Sequence, residues 1–143
     1  MDDVLAIFDH QLKELAIQVI RHPMPEAVPC RRNEINQVFS NILSNAIKYM
    51  GPSEARFIEI GGLEREQDVE CYVKDTGIGI APEDQERIFQ MFTRLEAVDT
   101  PGEGIGLAYV KKILRAHGGR MWVESARGQG STFFFTLPRG VGP

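Results

Sequence analysis

Apolar residues along this chain repeat at two different periods, helical and extended, and the changes of period mark out its elements. From Asp2 to Leu15 the residues Val4, Leu5, Phe8, Leu12 and Leu15 recur at helical spacing, with Asp2 or Asp3 placed to cap the start. Ile17 to Ile20 is short and β-branched. It reads either as more helix or as a strand before the turn-rich His22-Pro23-Met24-Pro25. The clearest helix follows, capped by Asn33, with Ile35, Val38, Phe39, Ile42, Leu43 and Ala46 on one face. Asn41, Asn45 and Lys48 form a separate polar stripe on it, roughly a quarter-turn from the apolar face at ~100° per residue. Gly51-Pro52 ends this helix.

Two strands are predicted near Phe57–Leu63 and Val69–Asp75, joined by the polar turn Glu64–Asp68. A short helix is expected from Pro82 through Phe92, with Glu83 and Asp84 suiting the positive end of its dipole. Glycine-rich chain surrounds Pro101–Gly106. A further helix then turns Leu107, Val110, Ile113 and Leu114 inward and stops at Gly118-Gly119. Met121–Ser125 and Thr132–Leu137 read as a hairpin around Gly128-Gln129-Gly130, closed by Pro138. Strands interleaved with helices in this order predict an α/β two-layer sandwich, a mixed sheet covered on one face by helices.

The length of 143 residues fits one domain, spanning 1–143, with enough chain to bury a core. With 43% hydrophobic and 25% charged residues, the composition is that of an ordinary globular protein. A net charge of -4 argues against a nucleic-acid grip built on phosphate neutralisation. The two cysteines, Cys30 and Cys71, are far apart and in no metal-ligand spacing, which favours free thiols. No apolar run approaches the ~20 residues of a membrane-spanning helix.

Four stretches can carry chemistry. Asp75-x-Gly77-x-Gly79 lies at the end of a strand, where a carboxylate suits an amino-group donor such as the exocyclic amine of adenine. Its glycines let the backbone pass close to a flat ring, although the motif alone is equally a glycine turn. Gly102-Glu103-Gly104-Ile105-Gly106-Leu107 stands directly before a helix, so its amides can wrap a phosphate chain at the helix start. It is neither a Walker-type phosphate loop nor a dinucleotide fingerprint. In the stripe Asn41, Asn45, Lys48 an amide oxygen can serve magnesium and a lysine can meet phosphate oxygens, though a solvated helix face would look the same. Tyr49 beside it suits either base stacking or the core. Phe89 and Phe92 are helically spaced aromatics, followed by Arg94, a cation able to reach a terminal phosphate.

Their joint order and spacing strongly resemble the ATP-binding catalytic domain of two-component sensor histidine kinases, over about the whole chain. Asn41-Ile-Leu-Ser-Asn45-Ala-Ile-Lys48-Tyr49 looks like the family's asparagine box, and Asp75-Thr-Gly77-Ile-Gly79-Ile80 like its first glycine box. Ile88-Phe89-Gln-Met-Phe92 looks like its phenylalanine box, Gly102-Glu-Gly104-Ile-Gly106-Leu107 like its second glycine box, and Gly128-Gln-Gly130-Ser131 like its last. The run Gly104–Ser125 also resembles the versions found in phytochrome-like kinases.

The resemblance implies an α/β sandwich holding ATP between helices and a flexible lid. Carried over by position, Asn45 coordinates the magnesium that bridges the phosphates, Asn41 supports that metal, and Lys48 contacts the phosphates. Tyr49 packs on adenine, Asp75 takes the adenine amino hydrogen, Gly79 gives the base room, and Ser131 stands near the ordered water beside it. The lid runs roughly from Thr93 to Glu103. Arg94 steadies the terminal phosphate, and the amides of Gly102, Gly104 and Gly106 hold the phosphate chain. The implied reaction is transfer of the γ-phosphoryl group to a histidine, by positioning and charge neutralisation.

In this family the acceptor histidine is followed at once by Glu or Asp. Here His10 precedes Gln11, His22 precedes Pro23 and His117 precedes Gly118, and none fits. The chain is therefore expected to bind nucleotide and magnesium without phosphorylating itself. The implied partners are a dimerisation and histidine phosphotransfer domain and, indirectly, a response regulator. The resemblance also implies a monomer working at the cytoplasmic side, with no membrane or nucleic-acid contact. Two positions depart from the family pattern. Arg31 stands where an aspartate is common, and Glu103 stands where Thr or Ser is usual, which places a carboxylate next to the triphosphate.

Overall fold

The computed structural model describes residues 2–23, 32–51, 56–85, 106–126 and 128–138. Helix α1 spans Asp2–Glu14 and is followed by strand β1, Gln18–Arg21. Helix α2 covers Arg32–Lys48, and strands β2 (Phe57–Glu64) and β3 (Asp68–Asp75) form an antiparallel hairpin. After a 3-10 turn at Pro82–Asp84 come helix α3 (Gly106–Ala116) and the hairpin of β4 (Met121–Ser125) and β5 (Ser131–Pro138).

The stretch after α1 is a strand, and the reason lies in how α1 stops. Ala16 adopts a left-handed conformation with φ 55°. Its N–H reaches the carbonyl of Lys13, while the N–H of Ile17 reaches that of Leu12 at 2.8 Å. This is a Schellman stop, and the buried pair Leu12 and Ile17 supplies its usual apolar contact. Leu15, expected to be an inward position, lies just beyond the last helical residue and is exposed. Helix α3 ends in the same way, with Gly118 at φ 80° and Gly119 N–H on Leu114 O at 2.8 Å. At its other end, α2 is already helical at Arg32, so Asn33 sits inside the first turn rather than at the cap. Likewise Asp2 is already within α1. Of the helix expected over Pro82–Phe92, the described residues show the 3-10 turn, and the remainder lies outside them.

The five strands lie in the order β1-β2-β3-β5-β4. Only β1 and β2 run parallel, and α2 makes the crossover between them that a parallel pair requires. The sheet is therefore mixed. Val69, Cys71 and Val73 of β3 and Phe133, Phe135 and Leu137 of β5 turn to one face and are buried. Against that face pack Val38, Ile42 and Leu43 of α2 and Val110 and Leu114 of α3, with Phe39 edge-on to Phe135 at 5.1 Å. Each such side chain, fully buried, contributes about 1.5–3 kcal/mol. Cys71 is a buried free thiol, while Cys30 lies outside the described residues.

The opposite face carries a cross-strand aromatic row. Tyr72, Phe134 and Trp122 are register neighbours, and the Trp122 and Phe134 rings stack at 5.3 Å with Arg120 above the indole. Tyr72 lies across Gly61, leaving no space there for a Cβ. Among the described residues, no helix is long and apolar enough to cross a membrane.

Candidate functional site

At the end of the sheet nearest the glycine loop, the apolar helix-facing side turns polar. Asp75, Ser131 and Ser125 are consecutive register partners on β3, β5 and β4, so their side chains share that face. Asp75 and Ser131 are two of the three buried polar side chains among the described residues. Asp75 Oδ1 accepts the N–H of Gly77 at 2.9 Å and that of Ser131 at 3.2 Å. Its second carboxylate oxygen takes part in neither of these bonds. Burial raises the Asp75 carboxyl to a pKa of about 6, against the lowering effect of those two backbone bonds.

The glycine loop is held from both sides. Toward α2, Ile78 N–H donates to Tyr49 O at 3.0 Å, and a Cβ on Gly77 would collide with that same carbonyl. Gly77 is thus needed for the close approach of the loop to the end of α2. Gly79 takes φ 75°, a left-handed turn that favours glycine. Toward the hairpin, Gly128 N–H donates to Ile78 O at 2.6 Å and Ile80 N–H to Ser125 Oγ at 2.7 Å. Gln85 Nε2 closes the clamp, donating to the carbonyls of Ile80 at 3.0 Å and Ser125 at 2.9 Å.

On α2, Asn41, Asn45 and Lys48 are half-buried and share one stripe, as the spacing predicts. Asn45 Nδ2 donates to Asn41 O at 3.0 Å, one turn back. That bond engages the amide nitrogen and leaves Oδ1 as an acceptor. Tyr49 is half-buried and packs against the core. Lys48 lines a different cavity from Asp75, about 540 Å³ between the ends of α1 and α2, with Ser44, Ile47 and Arg56. The cavity at Asp75 is smaller, about 220 Å³, and is lined by Ser125, Gln129 and Ser131 among others. Ile80 and Leu107 are buried in the core, and Gly106 is the first residue of α3. Phe92, Arg94, Gly102 and Gly104 lie outside the described residues.

The histidines have structural surroundings. His10 pairs with Glu14 and His22 with Glu59, each at 3.4 Å, and His117 Nδ1 sits 3.0 Å from Ile113 O. Ser125 and Gln85 were not legible as site residues. The signal for Ser125 was its place opposite Ser131 in the predicted hairpin, but only the strand register turns that into a contact.

The family model described as histidine kinase-, DNA gyrase B-, and HSP90-like ATPase matches residues 30–141. Cyanobacterial phytochrome A of Nostoc sp. is 40% identical over 141 residues, which is 98% of this chain and 18% of that protein. The chain thus spans less than a fifth of the length of that curated relative. Among solved structures, the catalytic domain of histidine kinase ThkA superposes with a TM-score of 0.81 at 28% identity, covering 96% of this chain and 90% of that one. Full-length ShkA in complex with AMPPNP gives 0.80 at 27% identity, covering 99% of this chain and 30% of that one. The chain belongs to this ATPase family, and its sequence and fold are those of a sensor histidine kinase catalytic domain.

Proposed function

We propose that this domain binds magnesium-ATP with the adenine against Asp75, and that it passes the γ-phosphoryl group to a histidine on a separate helical domain of a longer protein. The buried carboxylate at the end of β3 carries the reading. One of its oxygens is held by two backbone N–H groups, so the other is fixed in place as an acceptor for the adenine amino group. The AMPPNP complex of the similar ShkA supports a nucleotide as the ligand of this fold.

The rest of the chain fits that chemistry. The pinned Asn45 amide offers a neutral oxygen suited to magnesium, with Asn41 supplying the carbonyl that holds it. A single amide oxygen leaves most of a magnesium ion's coordination to water and the nucleotide phosphates. Magnesium, when bound, neutralises charge on the transferring phosphoryl group. Lys48 and Arg94 are assigned to the phosphates, and Gly102, Gly104 and Gly106 to the phosphate chain. Tyr49, Gly79, Ile80, Phe92 and Leu107 are assigned to the walls of the nucleotide site. None of the three histidines is followed by an acid, so the acceptor belongs to the phosphotransfer domain of the same protein, with a response regulator downstream.

Calorimetric titration of magnesium-ATP into the wild type and Asp75→Asn tests the base site. Micromolar-to-millimolar binding that weakens at least about tenfold in the variant is expected, the scale of a hydrogen bond to a charged group. A folded wild type that takes up no ATP at millimolar concentration would leave a module without nucleotide chemistry.

A further inference from the structure

The hydroxyl of Ser125 meets three groups at once. It lies 2.7 Å from the N–H of Ile80, 2.7 Å from the carbonyl of Gly130 and 2.8 Å from the hydroxyl of Ser131. A serine hydroxyl has one proton to give and two lone pairs to receive. The Ile80 N–H can only donate and the Gly130 carbonyl can only accept. The proton of Ser125 therefore goes to Gly130, and one lone pair takes Ile80. The third contact is a hydrogen bond only if Ser131 donates into the remaining lone pair. No other assignment bonds all three.

Ser131 is thereby left without a proton to offer elsewhere. Ser131 lines the same cavity as Asp75, the acceptor of its backbone N–H. We propose that Ser125 is a positioning residue that sets base selectivity: it takes up the Ser131 proton, so that Asp75 and Ser131 together present only acceptors to the base. Such a surface favours a purine with an amino group at position 6 and disfavours one with an oxo group there, directly or through a bridging water. The inference rests on the placing of adenine at Asp75 and adds to it the residue that enforces the polarity.

The probe is magnesium-ATP against magnesium-ITP, which differ only in the amino or oxo group at position 6 and the adjoining ring proton. Titrations of wild type, Ser125→Ala, Ser125→Thr and Ser131→Ala, with melting curves for each, give the affinity ratios. The wild type should prefer ATP. In Ser125→Ala the Ser131 hydroxyl is free to turn and donate, and the ATP-to-ITP ratio should fall about tenfold, the scale of one hydrogen bond. Ser125→Thr keeps the hydroxyl and should keep the ratio. In a Ser131→Ala background, adding Ser125→Ala should change the ratio less than about twofold, because the residue through which Ser125 acts is gone.

A folded Ser125→Ala with the wild-type ratio overturns the proposal. So does an equal shift in the Ser131→Ala background, which would mean that Ser125 merely steadies the glycine loop. Should Ser125→Ala fail to fold, Ser125→Cys, of similar shape but a weak acceptor, should move the ratio in the same direction, and its failure to do so counts equally against the proposal. A wild type that binds neither nucleotide, or both alike, removes the base site itself, an outcome distinct from binding with preference but without Ser125 dependence.

Discussion

Asp75 holds its proton more tightly in the folded chain than an ordinary carboxylate, with a pKa of about 6 against 3.8. A raised acid pKa means that the folded state binds more protons than the unfolded one between these values. Its contribution to stability is then lost as pH rises from about 4 to about 6, by up to about 3 kcal/mol. Asp75→Asn cannot ionise. In urea titrations its stability relative to wild type should therefore grow over that window by up to about 3 kcal/mol and level off above it. A difference that stays flat with pH would mean that the carboxylate is well solvated. Function runs the opposite way. In the proposed function the charged form is the acceptor for the adenine amino group, so magnesium-ATP affinity should fall as pH drops through about 6, beyond whatever fall Asp75→Asn shares through titration of the phosphates.

Helix ends show how one geometry is built from different residues. The stops of α1 and α3 have the same hydrogen-bond pattern, yet the left-handed position is Gly118 in one and Ala16 in the other. A Cβ in that conformation costs roughly 1–2 kcal/mol, partly offset because glycine loses more freedom on folding. Ala16→Gly is therefore expected to stabilise the domain by about 0.5–1 kcal/mol, read as a rise in melting temperature. A fall would show that the strain is relieved elsewhere. The glycine loop gives the contrary case. Gly77→Ala places a methyl against the Tyr49 carbonyl, which lies on backbone that cannot swing away. A loss of about 2 kcal/mol or more, together with weaker ATP binding, is expected. Wild-type stability in this variant would mean that the loop shifts without consequence.

At the scale of the whole molecule, the sheet separates two environments. One face buries the core beneath three helices, and the other carries the Tyr72, Phe134 and Trp122 row. The chain spans less than a fifth of the length of a curated relative it resembles, and the proposed function puts the phosphoryl acceptor on a separate domain. Incubation with labelled magnesium-ATP should leave this chain unlabelled. A separately supplied helical domain bearing a histidine followed by an acid should take up the label, provided the pair is cognate. Label appearing on His10, His22 or His117 would contradict this division of labour.

Features that depend on neighbours along the chain are readable from the order of residues alone. Periodicity placed α1, α2, α3 and the strands β2 to β5 to within a residue or two wherever they are described, and left β1 open between helix and strand. Asp75-x-Gly77-x-Gly79 and the Asn41, Asn45, Lys48 stripe were legible because a turn or a helix face is a local property. Features that depend on strand register emerge only in the folded chain. Asp75 meets Ser131 across 56 residues of chain. That meeting requires β3, already paired with β2 on one edge, to take β5 rather than β4 on the other, and no local period encodes the choice. The same holds for Ser125, whose hydroxyl acquires its role from a donor in the glycine loop and an acceptor in its own hairpin. Gly77 was readable as a glycine needed for close approach, but the partner proved to be the carbonyl at the end of α2. The choice of strand or helix after α1 was settled by a stop that uses alanine, the residue most favourable to helix, in a conformation it rarely adopts. The backbone bond from Ile17 to Leu12, with both side chains buried in the core, holds it there.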